Sequence, residues 1–179
     1  MRLIPTVVLL MFVLTGCLEH PNPPARMRPT TPPSTAAVPT TVATVAGCVL
    51  GAGGKADRSC DPGVLNPDVT PATLRTTICR PNWTDTVRPP TSYTNQLKKL
   101  DMTRYGIPHS EVSNYRYDHL VALTLGGHPT DPGNLWPQHK GPAVDKNTQA
   151  VRLKNQVCRG EITLREAQRT LLDAWSYQR

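Results

Sequence analysis

The stretch from Tyr115 to Cys158 most constrains what this chain can fold into. Tyr115 to Leu120 is aromatic-rich at its start and reads as a β-strand. Gly126-Gly127 and Asp131-Pro132-Gly133 are turn signals. Asn134 to Gln138 reads as a second short strand, which Pro137 confines to an edge or an end. A helix is expected from about Val144 to Cys158, with Val151, Leu153, Val157 and Cys158 buried and Gly160 as its stop. Strand, turn, strand and helix bring Asp118-His119 and Asn134 near one another. Asp118 supplies a hard oxygen suited to a divalent cation. A neutral His119 can take a proton from water. Asn134 can ligate the same ion through its carbonyl oxygen or bond the backbone to orient His119.

The rest of the domain reads as helical. Asp68 or Thr70 can cap a short helix ending near Ile78, with Pro71 in its first turn. Trp83 to Thr91, with Pro89-Pro90, reads as extended or loop. A second helix is expected from Thr94 to Tyr105, with Leu97, Leu100 and Tyr105 on one face and Gly106 beyond its end. Thr163-Leu164-Arg165-Glu166 matches a capping box, opening a last helix to about Ser176 with Ala167, Leu171 and Ala174 or Trp175 inward. Helices around a two-stranded hairpin make an α+β fold. Trp83, Trp136 and Trp175 are expected in the core rather than stacked on bases.

The ends set the compartment. Arg2 and the apolar run Val7 to Leu14 form the n- and h-regions of a secretory signal, too short to span a bilayer. Leu14-Thr15-Gly16-Cys17 resembles a bacterial lipobox. Residues 1–16 are then a signal peptide, and Cys17 carries the lipid (palmitate among its chains). Residues 17–46 are a Pro/Thr-rich tether that cannot bury a core. At roughly 3.1 Å per residue it would reach on the order of 90 Å. The expected location is the extracytoplasmic face of the cell membrane, reached through the lipid anchor only.

One domain remains, 47–179, with seventeen Lys and Arg against twelve Asp and Glu. That balance suits a polyanion, nucleic acid among others, without choosing it. Its four cysteines, Cys48, Cys60, Cys79 and Cys158, read as two disulfides in an exported domain. Three pairings are possible. Cys48–Cys60 with Cys79–Cys158 is favoured, because the second staples the segment before the hairpin to the helix after it.

A family resemblance follows from ordered motifs: Asp118-His119-Leu120, Leu125-Gly126-Gly127, Asn134-Leu135-Trp136-Pro137-Gln138, Lys146, Val157-Cys158 and Ala167-Gln168. Upstream, Asp61-Pro62-Gly63, Thr77-Ile78-Cys79, Val87-Arg88-Pro89-Pro90 and Tyr105-Gly106 extend it to about 60–175. The chain resembles small secreted HNH-type proteins of actinobacteria and their phages. The resemblance implies a ββα-metal core, flanked by further helices, and an endonuclease that hydrolyses DNA with one divalent ion (Mg²⁺, Mn²⁺ or Zn²⁺), acting as a monomer. It implies His119 as general base, with Asn134 catalytic, and Asp118 and Asn134 as metal ligands; His139, five residues after Asn134, could swing in as a further ligand. Lys146 would contact phosphate, and Arg116, on the strand face of Asp118, would either repel a divalent ion or contact phosphate. Some HNH enzymes carry a further histidine on the helix where this chain has Ala143; His128 is a weaker candidate. The family pattern has acidic residues where this chain has Arg116, Thr124, Asn147 and Ala150. The alternatives are a degenerate HNH scaffold binding a polyanion or nucleic acid without cutting it, and a surface lipoprotein whose Asp118 and His119 are structural.

Overall fold

A computed structural model describes residues 47–179. The signal segment, Cys17 and the tether lie outside the described residues. In chain order the elements are β1 (Ala56–Asp57), α1 (Trp83–Val87), α2 (Thr91–Arg104), β2 (Tyr115–His119), β3 (Leu135–His139), α3 (Lys140–Cys158), α4 (Leu164–Trp175) and β4 (Ser176–Tyr177), with short 3₁₀ turns between them. The fold is mixed α+β. β2 and β3 pair antiparallel, with Asp118 opposite Trp136 and His119 opposite Leu135. β3 runs directly into α3. β1 and β4 form a second, parallel pair that joins the two ends of the domain.

Several elements differ from the sequence expectation. The helix expected up to Ile78 is a run of turns. Threonine side chains explain it: Thr73 donates to Asp68 O and Thr76 and Thr77 to Thr73 O, while Thr73 Oγ1 also accepts from Thr70 N. Such local bonds compete with regular helix. Trp83–Val87, expected as loop, is a short helix that plants Trp83 in the core. α2 begins earlier than expected, at Thr91, and turns Met102 inward, whereas Leu100 is 68% exposed. α3 likewise begins at Lys140, and it buries Ala143, Lys146, Ala150, Leu153 and Val157 while Val151 is 48% exposed. Leu153 and Val157 are inward as expected, whereas Val151 and Cys158 are exposed and Ala143, Lys146 and Ala150 complete the inward stripe. The capping box of α4 is present as expected.

Two apolar clusters flank the hairpin. One gathers Val69, Ile78, Trp83, Val121, Leu125, Leu153, Val157 and Leu171 beneath α3 and α4. The other packs Met102, Tyr105, Ile107, Leu120 and Trp136 with Ala56 and Cys48. Cys48 pairs with Cys60 and Cys79 with Cys158, the favoured arrangement. The double glycine is required by close approach: a Cβ on Gly127 would lie 1.7 Å from Val121 O, and Gly126 has φ +76°. These two residues let the loop after β2 fold back against the start of β3.

Candidate functional site

The loop joining β2 to β3 is clamped by Asn134. Its Oδ1 accepts from Val121 N at 2.8 Å, and its Nδ2 donates to Val121 O at 3.1 Å and His128 O at 2.9 Å. The side chain is fully buried. Both ends of the amide therefore bond backbone, one of the two roles expected of this residue. Asn134 positions the loop.

That loop carries Pro129, whose carbonyl lies 2.9 Å from His119 Nε2. A carbonyl oxygen only accepts, so Nε2 carries the proton. The neutral ring then bears its lone pair on Nδ1, which has no protein partner among the described residues. Burial holds the His119 pKa below the usual histidine value, opposed by the bond to Pro129 and by Asp118 and reinforced by Lys146 and Arg88. The imidazole is a neutral base lining a cleft of about 230 Å³. Arg88, Arg116, Asp118, Thr124, Asn147 and Ala150 line the same cleft. The four positions singled out as departing from an acidic pattern thus converge on one place.

Asp118 is buried between cations. Its Oδ1 accepts from His119 N at 2.8 Å. Its Oδ2 lies 3.6 Å from Arg116 Nε and 3.7 Å from Lys146 Nζ, and has no hydrogen bond. Arg116 projects from the same strand face, as its spacing of two requires. Lys146, expected to reach phosphate from the helix surface, is wholly buried instead. Its Nζ donates to His119 O at 2.6 Å and sits 5.2 Å from the centre of the Trp136 ring. Burial lowers its pKa, and Asp118 opposes that shift.

These donors do not fit a divalent ion. An orphaned carboxylate oxygen is the kind of atom a cation satisfies, but the cations within reach of Asp118 Oδ2 belong to the protein. A divalent ion at Oδ2 would be drawn by this one carboxylate and repelled by both cations beside it. His139 does not supply a further ligand. It pairs with Tyr115 at the other end of the hairpin, caps α3, and accepts from Gly141 N at 3.3 Å. His128 Nδ1 accepts from Asp131 N at 2.9 Å and shapes its own loop. Among the described residues no three His, Cys, Asp or Glu side chains converge.

A second cleft, of about 350 Å³, shares Arg116 with the first and is lined by Thr94, Asn95, Lys98, Tyr115, Tyr117 and Lys140. The Lys98 ammonium is held by the carbonyls of Val112 and Tyr115. Its pKa is lowered by burial and then by the like charge of Lys140. Arg88, Lys98 and Lys140 were not singled out from the sequence; they lie on three different segments, so no local pattern groups them. The chain matches no family model, no curated protein and no solved structure.

Proposed function

We propose that this domain is an HNH-type ββα module, lipid-anchored at Cys17 on the outer face of the cell membrane, that engages the phosphodiester backbone of nucleic acid. The observation that carries it is the pair of clefts joined at Arg116, with Arg88, Lys98, Arg116 and Lys140 along them and one carboxylate, already neutralised. A single strand laid through both would meet several cations in succession. The order hairpin then helix, with His119 at the end of β2, supports the HNH-type reading of the scaffold. This is the binding form of that scaffold. Hydrolysis of DNA with one divalent ion has in its favour the unbonded Asp118 Oδ2 alone.

Fluorescence anisotropy with single-stranded oligonucleotides, across a salt series, is the test. Three or four phosphate contacts give a slope of log K against log salt of about −2 to −3, and Arg116→Ala or Lys140→Ala reduces it by about 0.7. Salt-independent affinity, or variants that bind like the parent, would sink the reading. Plasmid nicking with Mg²⁺, Mn²⁺ or Zn²⁺, lost in His119→Ala, would instead establish the metal-dependent nuclease.

A further inference from the structure

We infer that the His119 cleft cleaves RNA without a metal ion, using the substrate's own 2′-hydroxyl as nucleophile. The inference rests on the reading that the cleft engages a phosphodiester backbone. Hydrolysing DNA requires ionising a free water, whose pKa of about 15.7 a bound metal ordinarily lowers. Beside Asp118, Arg116 and Lys146 oppose that metal. In RNA the nucleophile is already attached beside the phosphorus, and well-placed intramolecular groups act at effective molarities on the order of 10⁵ M or more. Such a substrate asks the protein for a base and for positive charge, both of which the cleft has. His119 holds its proton on Nε2 against Pro129 O, which leaves Nδ1 as the acceptor. Arg88 and Arg116 line the same space, where negative charge on a pentacoordinate phosphorus would develop. Thr124 and Asn147 add neutral polar groups to its wall.

The step balances without oxidation or reduction. The 2′-hydroxyl gives its proton to His119 Nδ1 as the 2′-oxygen bonds to phosphorus. The bond from phosphorus to the 5′-oxygen breaks, and that oxygen takes a proton from solvent water. The hydroxide so formed removes the proton from His119 and restores the starting tautomer. The products are a 2′,3′-cyclic phosphate and a free 5′-hydroxyl. His119 is the catalytic residue; Pro129 O and Asn134 position it.

The test uses the full oxidised chain in EDTA with labelled single-stranded RNA, the same sequence as DNA, and the same RNA carrying 2′-O-methyl groups. RNA alone is cut, its ends are cyclic phosphates, and His119→Ala slows the reaction by on the order of 100-fold. The methylated RNA serves as a control that needs no protein variant. RNA that binds but stays intact in EDTA overturns this inference and leaves the binding function standing. Cutting of the methylated RNA or of DNA overturns it too, since water would then be the nucleophile. An undiminished rate in His119→Ala places the activity elsewhere. Failure of both RNA and DNA to bind removes the underlying reading as well.

Discussion

Replacing Lys146 by methionine tests what holds the hairpin to the helix. Lys146 lies on α3 with its ammonium wholly buried, donating to His119 O at 2.6 Å, 3.7 Å from Asp118 Oδ2 and above the Trp136 ring. Methionine keeps most of the volume, so cavity formation is a minor loss. What remains is a buried carboxylate facing only Arg116, and a His119 carbonyl without its donor. Breaking a buried ion pair from one side costs about 3–5 kcal/mol. For a domain of this size, in which 1 kcal/mol moves Tm by roughly 3–5 °C, the variant melts about 10–20 °C below the parent. Asp118→Asn on the Lys146→Met background removes the stranded charge and recovers a large part of the loss, a coupling that a double-mutant cycle in urea measures directly. A single variant within about 3 °C of the parent, or additive effects in the cycle, would refute the claim that Lys146 and Asp118 act as one buried unit.

Four further outcomes are expected. Asn134→Asp destabilises the domain by about 3–5 kcal/mol in urea unfolding, because it replaces the donor to Val121 O and His128 O with a buried charge; for a metal ligand the same change would be benign. Loss of the Cys79–Cys158 bridge, which closes a 79-residue separation, costs about 4.5 kcal/mol, against about 3 kcal/mol for Cys48–Cys60 with its separation of 12, as paired serine variants will show. Burial pushes Asp61 up to about 6, against the pull of Tyr105 and Arg104, so the folded state binds protons more tightly and stability from this group falls as pH rises from about 4 to about 6. The parent accordingly loses about 3 kcal/mol relative to Asp61→Asn over that interval, and a pH-independent difference between the two refutes the shift. Arg116→Glu weakens oligonucleotide binding and removes one of the two cations beside Asp118, so Mn²⁺ affinity by calorimetry rises; unchanged metal affinity would show that Arg116 is not what opposes the ion.

The hairpin and the helix after it were legible because their signals are local. Alternating aromatics, two glycines and a proline mark β2, the loop and β3 within a short stretch, and the capping box announces α4 by itself. The disulfide pairing was legible from spacing. The inward face of α3 was legible only at Leu153 and Val157, because a buried lysine and two alanines occupy the rest while Val151 faces solvent. A sequence reading that equates burial with large apolar residues takes Lys146 for a surface cation. The parallel pairing of β1 with β4 was equally hidden, since two residues at each end of the domain carry no period to detect. Asp118, His119 and the Arg116 beside them were found, but the rest of the charge was not, because Arg88 approaches from the segment before α2 and Lys146 from beneath.

That charge decides which chemistry the hairpin can support. One ammonium holds the backbone at His119, balances the carboxylate of Asp118 and packs on Trp136 of the paired strand. A divalent ion in such a place would tie the same elements together, but it would also keep exchangeable positions for water or phosphate oxygen. An ammonium sealed from solvent keeps none. It can only stabilise the fold and set the potential seen from the cleft. The groups lining the cleft thus include an imidazole and two guanidinium ions, a base and positive charge in one place. On the proposed reading a nucleophile carried by the substrate needs no metal to ionise it, and among nucleic acids that condition separates RNA from DNA.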